Sequence, residues 1–295
     1  MIELTTFATT NQMQNTHSSK TFCIIGDPIQ HSLSPAMQNA AFNAAGLNCS
    51  YIAFRVKKGE LKESIESLRA TGVSGFNITV PHKVEAMKYL DWFDSSARKA
   101  NAVNTVHNMD GVLKAYNTDI YGFIHPLHLR KVNFDGMKVL LIGAGGAARA
   151  ILAALADENG ISEVNIANRS EGKARALLEI SLALGLNCKT VPWERIPEYS
   201  RNTKLIVNAT TVGVNSEPSL VKHEDFHKDA IVYDIVYKPV NTDFLENAKY
   251  AGANVIYGYE MLLYQGAKSF EIWTGMSAPI DAMKKVLLGT LGEPS

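Results

Sequence analysis

"KVLLIGAGGAARAILAAL", Lys138 to Leu155, is the stretch on which the fold turns. Val139 to Ile142 are consecutive apolar residues, as in a strand buried on both faces of a parallel sheet. Gly143, Gly145 and Ala148 follow in the form G-x-G-x-x-A, and an alanine-rich helical segment runs on to Leu155. Each small residue has a mechanical reason. Gly143 permits the tight turn out of the strand, Gly145 lets backbone approach a pyrophosphate, and Ala148 lets the helix lie close on the strand. The free N–H groups at the helix start suit phosphate oxygens. A glycine pattern alone is weak, and a tight turn with no ligand is its plain explanation. Here strand, turn and helix all stand in order, so Gly143, Ala144, Gly145, Gly146 and Ala147 are expected to line a dinucleotide site.

About twenty residues further on, such a site places an acid on the adenosine ribose when the cofactor is NAD. This chain has "ANRSEGKAR" there: Asn168 at the strand tip, then Arg169 and Ser170, with Lys173 one turn later and Glu171 nearby. A guanidinium and a hydroxyl suit a 2′-phosphate, Arg169 through paired charge-assisted bonds. A solvated loop with two ordinary basic residues is the alternative. The strand placement favours the phosphate, so the expected cofactor is NADP.

Outward from this unit, strand-like and helix-like segments alternate from Thr21 onward. "TFCIIG", "SYIAFRV" and "VSGFNITV" read as strands. "SPAMQNAAFNAAG" and "GELKESIESLRATG" read as helices, and "HKVEAMKYL" as the helix after the third strand. "AVNTVHNMDGVLKAYNTD" reads as two strands joined at Asp110-Gly111, a strong hairpin turn. "KVLLIG", "EVNIANR", "KLIVNAT" and "AIVYDIVY" are later buried strands. The class is therefore α/β with parallel sheet, in two domains. A boundary is expected near residues 119–135.

Composition narrows the function. The chain has 295 residues, with 46% hydrophobic and 20% charged side chains, enough to fill a core. Lys plus Arg and Asp plus Glu are each 29, so no overall positive charge draws nucleic acid. Three scattered cysteines, Cys23, Cys49 and Cys188, form no Cys-x-x-Cys, which fits a reducing cytoplasmic setting. No apolar run approaches the ~20 residues that span a bilayer. Residues 1–19 are polar, lack the apolar middle of a secretory signal, and read as a disordered tail.

The first unit carries its own polar constellation. In "GFNITVPHK", Asn77 and Thr79 alternate with Phe76, Ile78 and Val80, so they share one face of a strand. Pro81 ends the sheet, since it has no N–H to donate, and Lys83 follows. "GDPIQHSLSP" sets Ser32 and Ser34 before a helix, where two hydroxyls beside free N–H groups suit a carboxylate; Ser34 reads also as the helix cap. "AVNT" supplies Asn104, and "YNTD" supplies Asn117, Thr118 and Asp119, with Asp119 readable as a helix cap. Polar residues at strand ends are where open α/β sheets bind ligands.

"HSLSP", "GFNITVPHK", "AVNT", "YNTD", "GAGGAARA", "NRS", "IVYKP" and "GYEMLLYQGAKSFEIWTG" come in the order seen in shikimate dehydrogenases, and the resemblance covers nearly all of residues 20–290. It implies a catalytic domain over 20–118 and 258–295, joined by the last helices, and a Rossmann domain over 119–257. It implies reversible reduction of 3-dehydroshikimate to shikimate with NADPH. A monomer or a homodimer is expected, and the sequence does not choose between them. Carried over by position, Lys83 and Asp119 match the catalytic pair, and Ser32 and Ser34 the carboxylate-binding serines. Thr79, Asn104 and Gln265 match residues around the ring, and Tyr237 lies in the cleft. Asn168, Arg169, Ser170 and Lys173 match the 2′-phosphate loop. Thr210, Ile235, Gly258 and Met261 match the cofactor lining, the last two beside nicotinamide. The chain departs from the family pattern at Gln38, where His is usual, at Asn101, Ala115 and Ile120, where Gly is usual, and at Ser170, where Thr is commoner. An NAD-dependent quinate/shikimate dehydrogenase and a non-catalytic dinucleotide sensor are the rival functions. His82 beside Lys83, and the pairs His125/His128 and His223/His227, have no partners that would make them an acid–base group or a metal site.

Overall fold

A computed structural model gives the fold and describes residues 19–293. The expected tail lies outside the described residues except for Ser19.

The alternation seen in the sequence folds into two six-stranded sheets. The first contains β1 (Lys20–Gly26), β2 (Cys49–Arg55), β3 (Gly75–Ile78), β4 (Trp92–Phe93), β5 (Thr105–Met109) and β6 (Val112–Tyr116), in the order β2-β1-β3-β5-β6-β4. Its helices are α1 (Ser34–Ala44), α2 (Leu61–Ala70) and α3 (Ser95–Ala100). This sheet is mixed: β1 pairs parallel with β2 and β3, whereas β5 runs antiparallel to β3 and β6. Asp110 and Gly111 join β5 to β6 with φ of 53° and 89°, the left-handed pair that a tight hairpin requires. Along β1 successive side chains enter opposite cores. Phe22 and Ile24 meet Met37, Phe42 and Tyr51, and Cys23 and Ile25 meet Ile65, Phe76 and Val106.

The second sheet is parallel throughout. The chain enters it by α4 (Asp119–Leu129). It continues through β7 (Met137–Ile142), α5 (Gly146–Leu155), β8 (Ile161–Ala167), α6 (Glu171–Ala183), β9 (Cys188–Val191), α7 (Ile196–Ser200), β10 (Leu205–Asn208), β11 (Ile231–Asp234), α8 (Asp243–Tyr250) and β12 (Asn254–Ile256). The order β12-β11-β10-β7-β8-β9 reverses direction between β7 and β10, where such sheets open a ligand crevice. The last helices, α9 (Gly258–Thr274) and α10 (Ile280–Leu291), return to the first sheet, where Leu263, Phe270, Trp273, Met283 and Leu287 pack on Phe22 and Phe42.

Two local expectations are corrected. "HKVEAMKYL" is not an α-helix but a 3-10 turn over Glu85–Tyr89. The Lys83 carbonyl accepts from the Val103 N–H at 2.8 Å, which holds the chain to the strand exits and leaves too short a run to nucleate a helix. Ser34 does not cap α1: the cap position is Leu33, with no side-chain bond, and Ser34 is already helical.

One close approach fixes where the halves meet. A Cβ built on Gly122 of α4 would lie 2.7 Å from Gln265 Cβ and 2.8 Å from the Met261 carbonyl, so α4 and α9 touch backbone to side chain there. At the tip of β11, Asp234 is wholly buried and accepts from Asn208 Nδ2 (2.9 Å), the Val236 N–H (3.0 Å) and Thr242 Oγ1 (2.6 Å). Burial outweighs these bonds and pushes its carboxyl from the ordinary 3.8 up to about 6. A raised folded value means that the contribution to stability is full below the ordinary value and is lost as pH rises through about 6. Relative to Asp234→Asn, the protein should therefore gain roughly 3 kcal/mol as pH falls from 7 to below 4, at ~1.4 kcal/mol per pKa unit. Urea unfolding of both proteins across that range measures it; a constant gap would show that burial does not control this carboxyl.

Candidate active site

β3 ends at Ile78, and the chain passes through Thr79, Val80 and Pro81 to Lys83. Opposite it, the Asn104 N–H donates to the Tyr116 carbonyl (3.1 Å) and the Thr118 N–H donates to Asn104 Oδ1 (2.7 Å). These bonds fasten the start of β5 to the end of β6 and bring Asn104 beside Asp119. Lys83 Nζ stands 2.5 Å from Asp119 Oδ2, and Asn104 Nδ2 donates to Asp119 Oδ1 at 2.8 Å. The two charged side chains are 13% and 5% exposed, so solvent screens the pair little. Asp119 lies in the first turn of α4, where the helix end favours a carboxylate. It does not cap the helix, as the sequence allowed; Thr118 holds the cap position and the carboxylate is turned to Lys83 and Asn104.

An ammonium has three donors. With one on Asp119, Lys83 keeps others for an oxygen entering the cleft. Its stem lies against the glycine loop of the second sheet, since a Cβ built on Gly146 would come 3.1 Å from Lys83 Cβ and Cδ. One side chain thus reaches from the first sheet to the glycine loop of the second. Gln265 joins from α9, with Oε1 3.4 Å from Asn104 Nδ2.

Asn77 differs from its expected pocket position. Its amide donates to the Asn104 carbonyl (3.0 Å), Thr105 Oγ1 (2.9 Å) and Ser269 Oγ (3.1 Å), and accepts from the Tyr51 hydroxyl (2.6 Å). Both ends of the amide are engaged by protein, so Asn77 supports Asn104 from beneath. It does share a face with Thr79, but α9 covers that face at Asn77; Thr79, at the strand exit, stays half-buried. Thr105, Thr118 and Ser269 complete this hydroxyl cluster at 2.8 to 3.2 Å. Thr105 and Ser269 escaped the sequence reading. Their one signal was spacing: Ser269 stands one helical turn after Gln265 and donates to its carbonyl (3.0 Å).

Ser32 Oγ accepts from the Ser34 N–H at 3.3 Å, which sets the two serines together at the start of α1; Ser34 is buried and Ser32 half-buried. Tyr237 is half-buried, and burial pushes its phenol above the ordinary value. Gln38 Nε2 donates to the Gly266 carbonyl (2.8 Å), tying α1 to α9 beside Gln265. His82 is fully buried with Nε2 2.7 Å from the Val56 carbonyl, a scaffold position. Asn101 stands at φ 45°, the left-handed region that glycine enters freely and asparagine tolerates. Ala115 is buried in β6 opposite Val106, and Ile120 packs into the second core; neither has positive φ. Among the described residues, no three His, Cys, Asp or Glu side chains converge as a metal site.

The nucleotide loop fits a dinucleotide. Gly143 turns at φ 118°, where a Cβ would lie 2.7 Å from the Ala209 carbonyl oxygen. Gly145 faces open space, with nothing within 4 Å of a Cβ built on it, and α5 begins at Gly146 with no side-chain cap on its N–H groups. Ala148 is wholly buried against the sheet. Across the crevice, Thr210 Oγ1 donates to Asn208 Oδ1 (2.7 Å), Ile235 follows β11, and Gly258 lies so close to the Ile235 carbonyl that a Cβ would come within 2.6 Å. Met261 is buried one turn into α9. At the tip of β8, Asn168 Nδ2 donates to the Ser170 carbonyl (2.9 Å), which folds the loop back, and Arg169, Ser170 and Lys173 are exposed. Glu171 pairs with Arg175 at 2.6 Å on the flank of α6.

A parallel sheet with a glycine loop at its crossover, facing the Lys83–Asp119 ion pair at the exits of a second sheet, is the framework of a dinucleotide-dependent oxidoreductase. Family descriptions match both halves: "Shikimate dehydrogenase substrate binding domain" over residues 24–106, "Shikimate / quinate 5-dehydrogenase" over 127–232, and "Shikimate 5'-dehydrogenase C-terminal domain" over 258–288. The shikimate dehydrogenase (NADP(+)) of Nitrosopumilus maritimus is 51% identical over 92% of this chain and 98% of its own length. The Thermus thermophilus shikimate 5-dehydrogenase, solved with NADP(H) and shikimate, is 36% identical with a TM-score of 0.82, over 92% of this chain and all of that one. The quinate dehydrogenase of Corynebacterium glutamicum, solved with NAD, is 26% identical with a TM-score of 0.84, covering 92% of this chain and 99% of that one. The chain belongs to the shikimate dehydrogenase family.

Proposed function

We infer that this chain catalyses the reversible, NADPH-dependent reduction of 3-dehydroshikimate to shikimate. The observation that carries the assignment is the Lys83–Asp119 pair at 2.5 Å, buttressed by Asn104 and lying against Gly146 of the nucleotide loop. Bound NADPH supplies the hydride. The ketone oxygen then becomes an alkoxide, and the Lys83 ammonium stabilises that charge and gives up a proton. In the oxidative direction the neutral amine takes the proton back. Asp119 orients the ammonium and accepts from a neighbouring hydroxyl. Asn104, Gln265 and Thr79 bind the ring hydroxyls, and Ser32, Ser34 and Tyr237 the carboxylate. Arg169, Ser170 and Lys173 hold the 2′-phosphate, with the N-terminus of α5 on the pyrophosphate. All these residues belong to one chain, so a monomer suffices and a homodimer is compatible. Free Cys23, Cys49 and Cys188 accord with a cytoplasmic enzyme.

Incubation with shikimate and either oxidised cofactor, followed by near-ultraviolet absorbance of reduced nicotinamide, tests this directly. Rapid reduction of NADP and slow reduction of NAD is expected; quinate oxidised faster than shikimate, or NAD reduced faster than NADP, would move the chain to the rival enzyme. Ser32→Ala should raise KM for shikimate roughly tenfold with little change in kcat, the lower end for a hydrogen bond to a charged group because Ser32 is only half-buried. Ser34→Ala loses no helix cap, so it should leave thermal stability nearly unchanged while weakening shikimate. Unaltered KM in Ser32→Ala would remove that serine from the site.

A further inference from the structure

One aromatic residue beside the phosphate-facing loop has no part in the chemistry above. β8 and β9 are parallel neighbours, with Ala167 opposite Val191. Two residues beyond these partners come Arg169 and Trp193, so the strand exits bring both side chains level. The Arg169 guanidinium carbon lies 5.7 Å from the centroid of the Trp193 ring. Trp193 starts a short 3-10 turn, Trp193–Arg195, and packs against the core that includes Ile142, Ala167, Val191 and Ile196. The ring is anchored; the arginine is exposed. Among the described residues no carboxylate lies within ion-pair distance of Arg169.

The geometry of a guanidinium gives this arrangement its meaning. Its five N–H donors lie in the plane, and an aromatic ring attracts its face. A carboxylate partner would occupy the N–H edge that a phosphate needs. A ring fixes the long side chain while leaving that edge open, so less rotamer freedom is lost when phosphate arrives. We propose that Trp193 is a positioning residue for cofactor choice: by holding the Arg169 guanidinium over its ring, it favours adenine nucleotides that carry a 2′-phosphate. The proposal rests on the assignment of this loop to the 2′-phosphate.

Two probes without nicotinamide separate the proposal from that assignment: adenosine 2′,5′-bisphosphate and adenosine 5′-monophosphate, titrated calorimetrically. The wild-type protein should bind the bisphosphate more tightly. Trp193→Leu should weaken the bisphosphate about two- to fivefold, the scale of an exposed cation–aromatic contact, and leave the monophosphate unchanged. Trp193→Phe should recover most of the loss. In an Arg169→Ala background, Trp193→Leu should cost nothing further in bisphosphate affinity, and in the Trp193→Leu single variant kcat at saturating NADPH should be unaffected. Equal weakening of both probes, or of neither, in a Trp193→Leu protein with wild-type melting behaviour would overturn the proposal while the phosphate assignment stands. A wild-type protein that does not distinguish the probes removes the assignment and the proposal together. If Trp193→Leu does not fold, intrinsic fluorescence decides: the bisphosphate should change wild-type emission, and Trp193→Phe, which keeps Trp92 and Trp273, should lose that change. Emission that responds identically in both proteins counts against Trp193.

Discussion

Lys83→Ala is expected to lower kcat roughly 10²–10⁴-fold, the usual contribution of a positioned acid or base, with a much smaller change in KM for shikimate. On the proposed assignment the carboxylate contacts and the hydroxyl contacts of Asn104 and Gln265 remain in that variant, so ground-state binding should survive while the developing alkoxide loses its cation and its proton source. Lys83→Arg should not restore turnover. A guanidinium keeps the positive charge but scarcely gives up a proton, and it is bulkier in a space bounded on one side by Gly146 and on the other by Asp119. The substitution also leaves Asp119 buried with Asn104 as its remaining side-chain partner, so some loss of stability should accompany Lys83→Ala. Circular dichroism at the assay temperature therefore has to accompany steady-state kinetics in both directions. Near-normal turnover in a folded Lys83→Ala protein would remove the lysine from the chemistry.

Arg169→Ala should weaken NADP by roughly 1.5–3 kcal/mol, the range for a hydrogen bond to a charged group, or about ten- to a hundredfold in Kd. NAD should be nearly unaffected, because on the proposed assignment the glycine loop and the start of α5 take the pyrophosphate that both cofactors share. Arg169 is exposed and, among the described residues, makes no ion pair or side-chain hydrogen bond, so its removal mainly loses the approach to Trp193. Lys173, exposed one turn into α6, would retain part of the attraction for phosphate, and this part should fade as salt is raised. Isothermal titration with both oxidised cofactors, at two salt concentrations, separates the terms. Equal losses for NADP and NAD would mean that Arg169 makes no specific phosphate contact.

Much of this was legible in the residues. The run from Val139 to Ala148 encodes strand, turn and helix through local sterics, and the structure shows Gly143 where backbone approaches backbone and Gly145 open to solvent. The Asp110-Gly111 hairpin was equally plain, because two consecutive left-handed residues leave few alternatives. Local pattern misled where a distant element competes for the same groups. Ser34 and Asp119 have the side chains of helix caps, yet Leu33 and Thr118 hold the cap positions, and Asp119 is turned to Lys83. Asn77 shares Thr79's strand face, but α9 lies over it and takes its amide.

By itself the sequence determined the α/β class, the strand, turn and helix of the glycine loop, and which residue types stand at the strand exits, because each depends on residues close together in the chain. Only the tertiary structure decided which of those groups meet. The contacts of Lys83 with Asp119, of Asn77 with Ser269 and of Arg169 with Trp193 join elements far apart in sequence, and strand register and helix packing set their distances. Periodicity tells which face a side chain takes; what covers that face depends on where the rest of the chain returns.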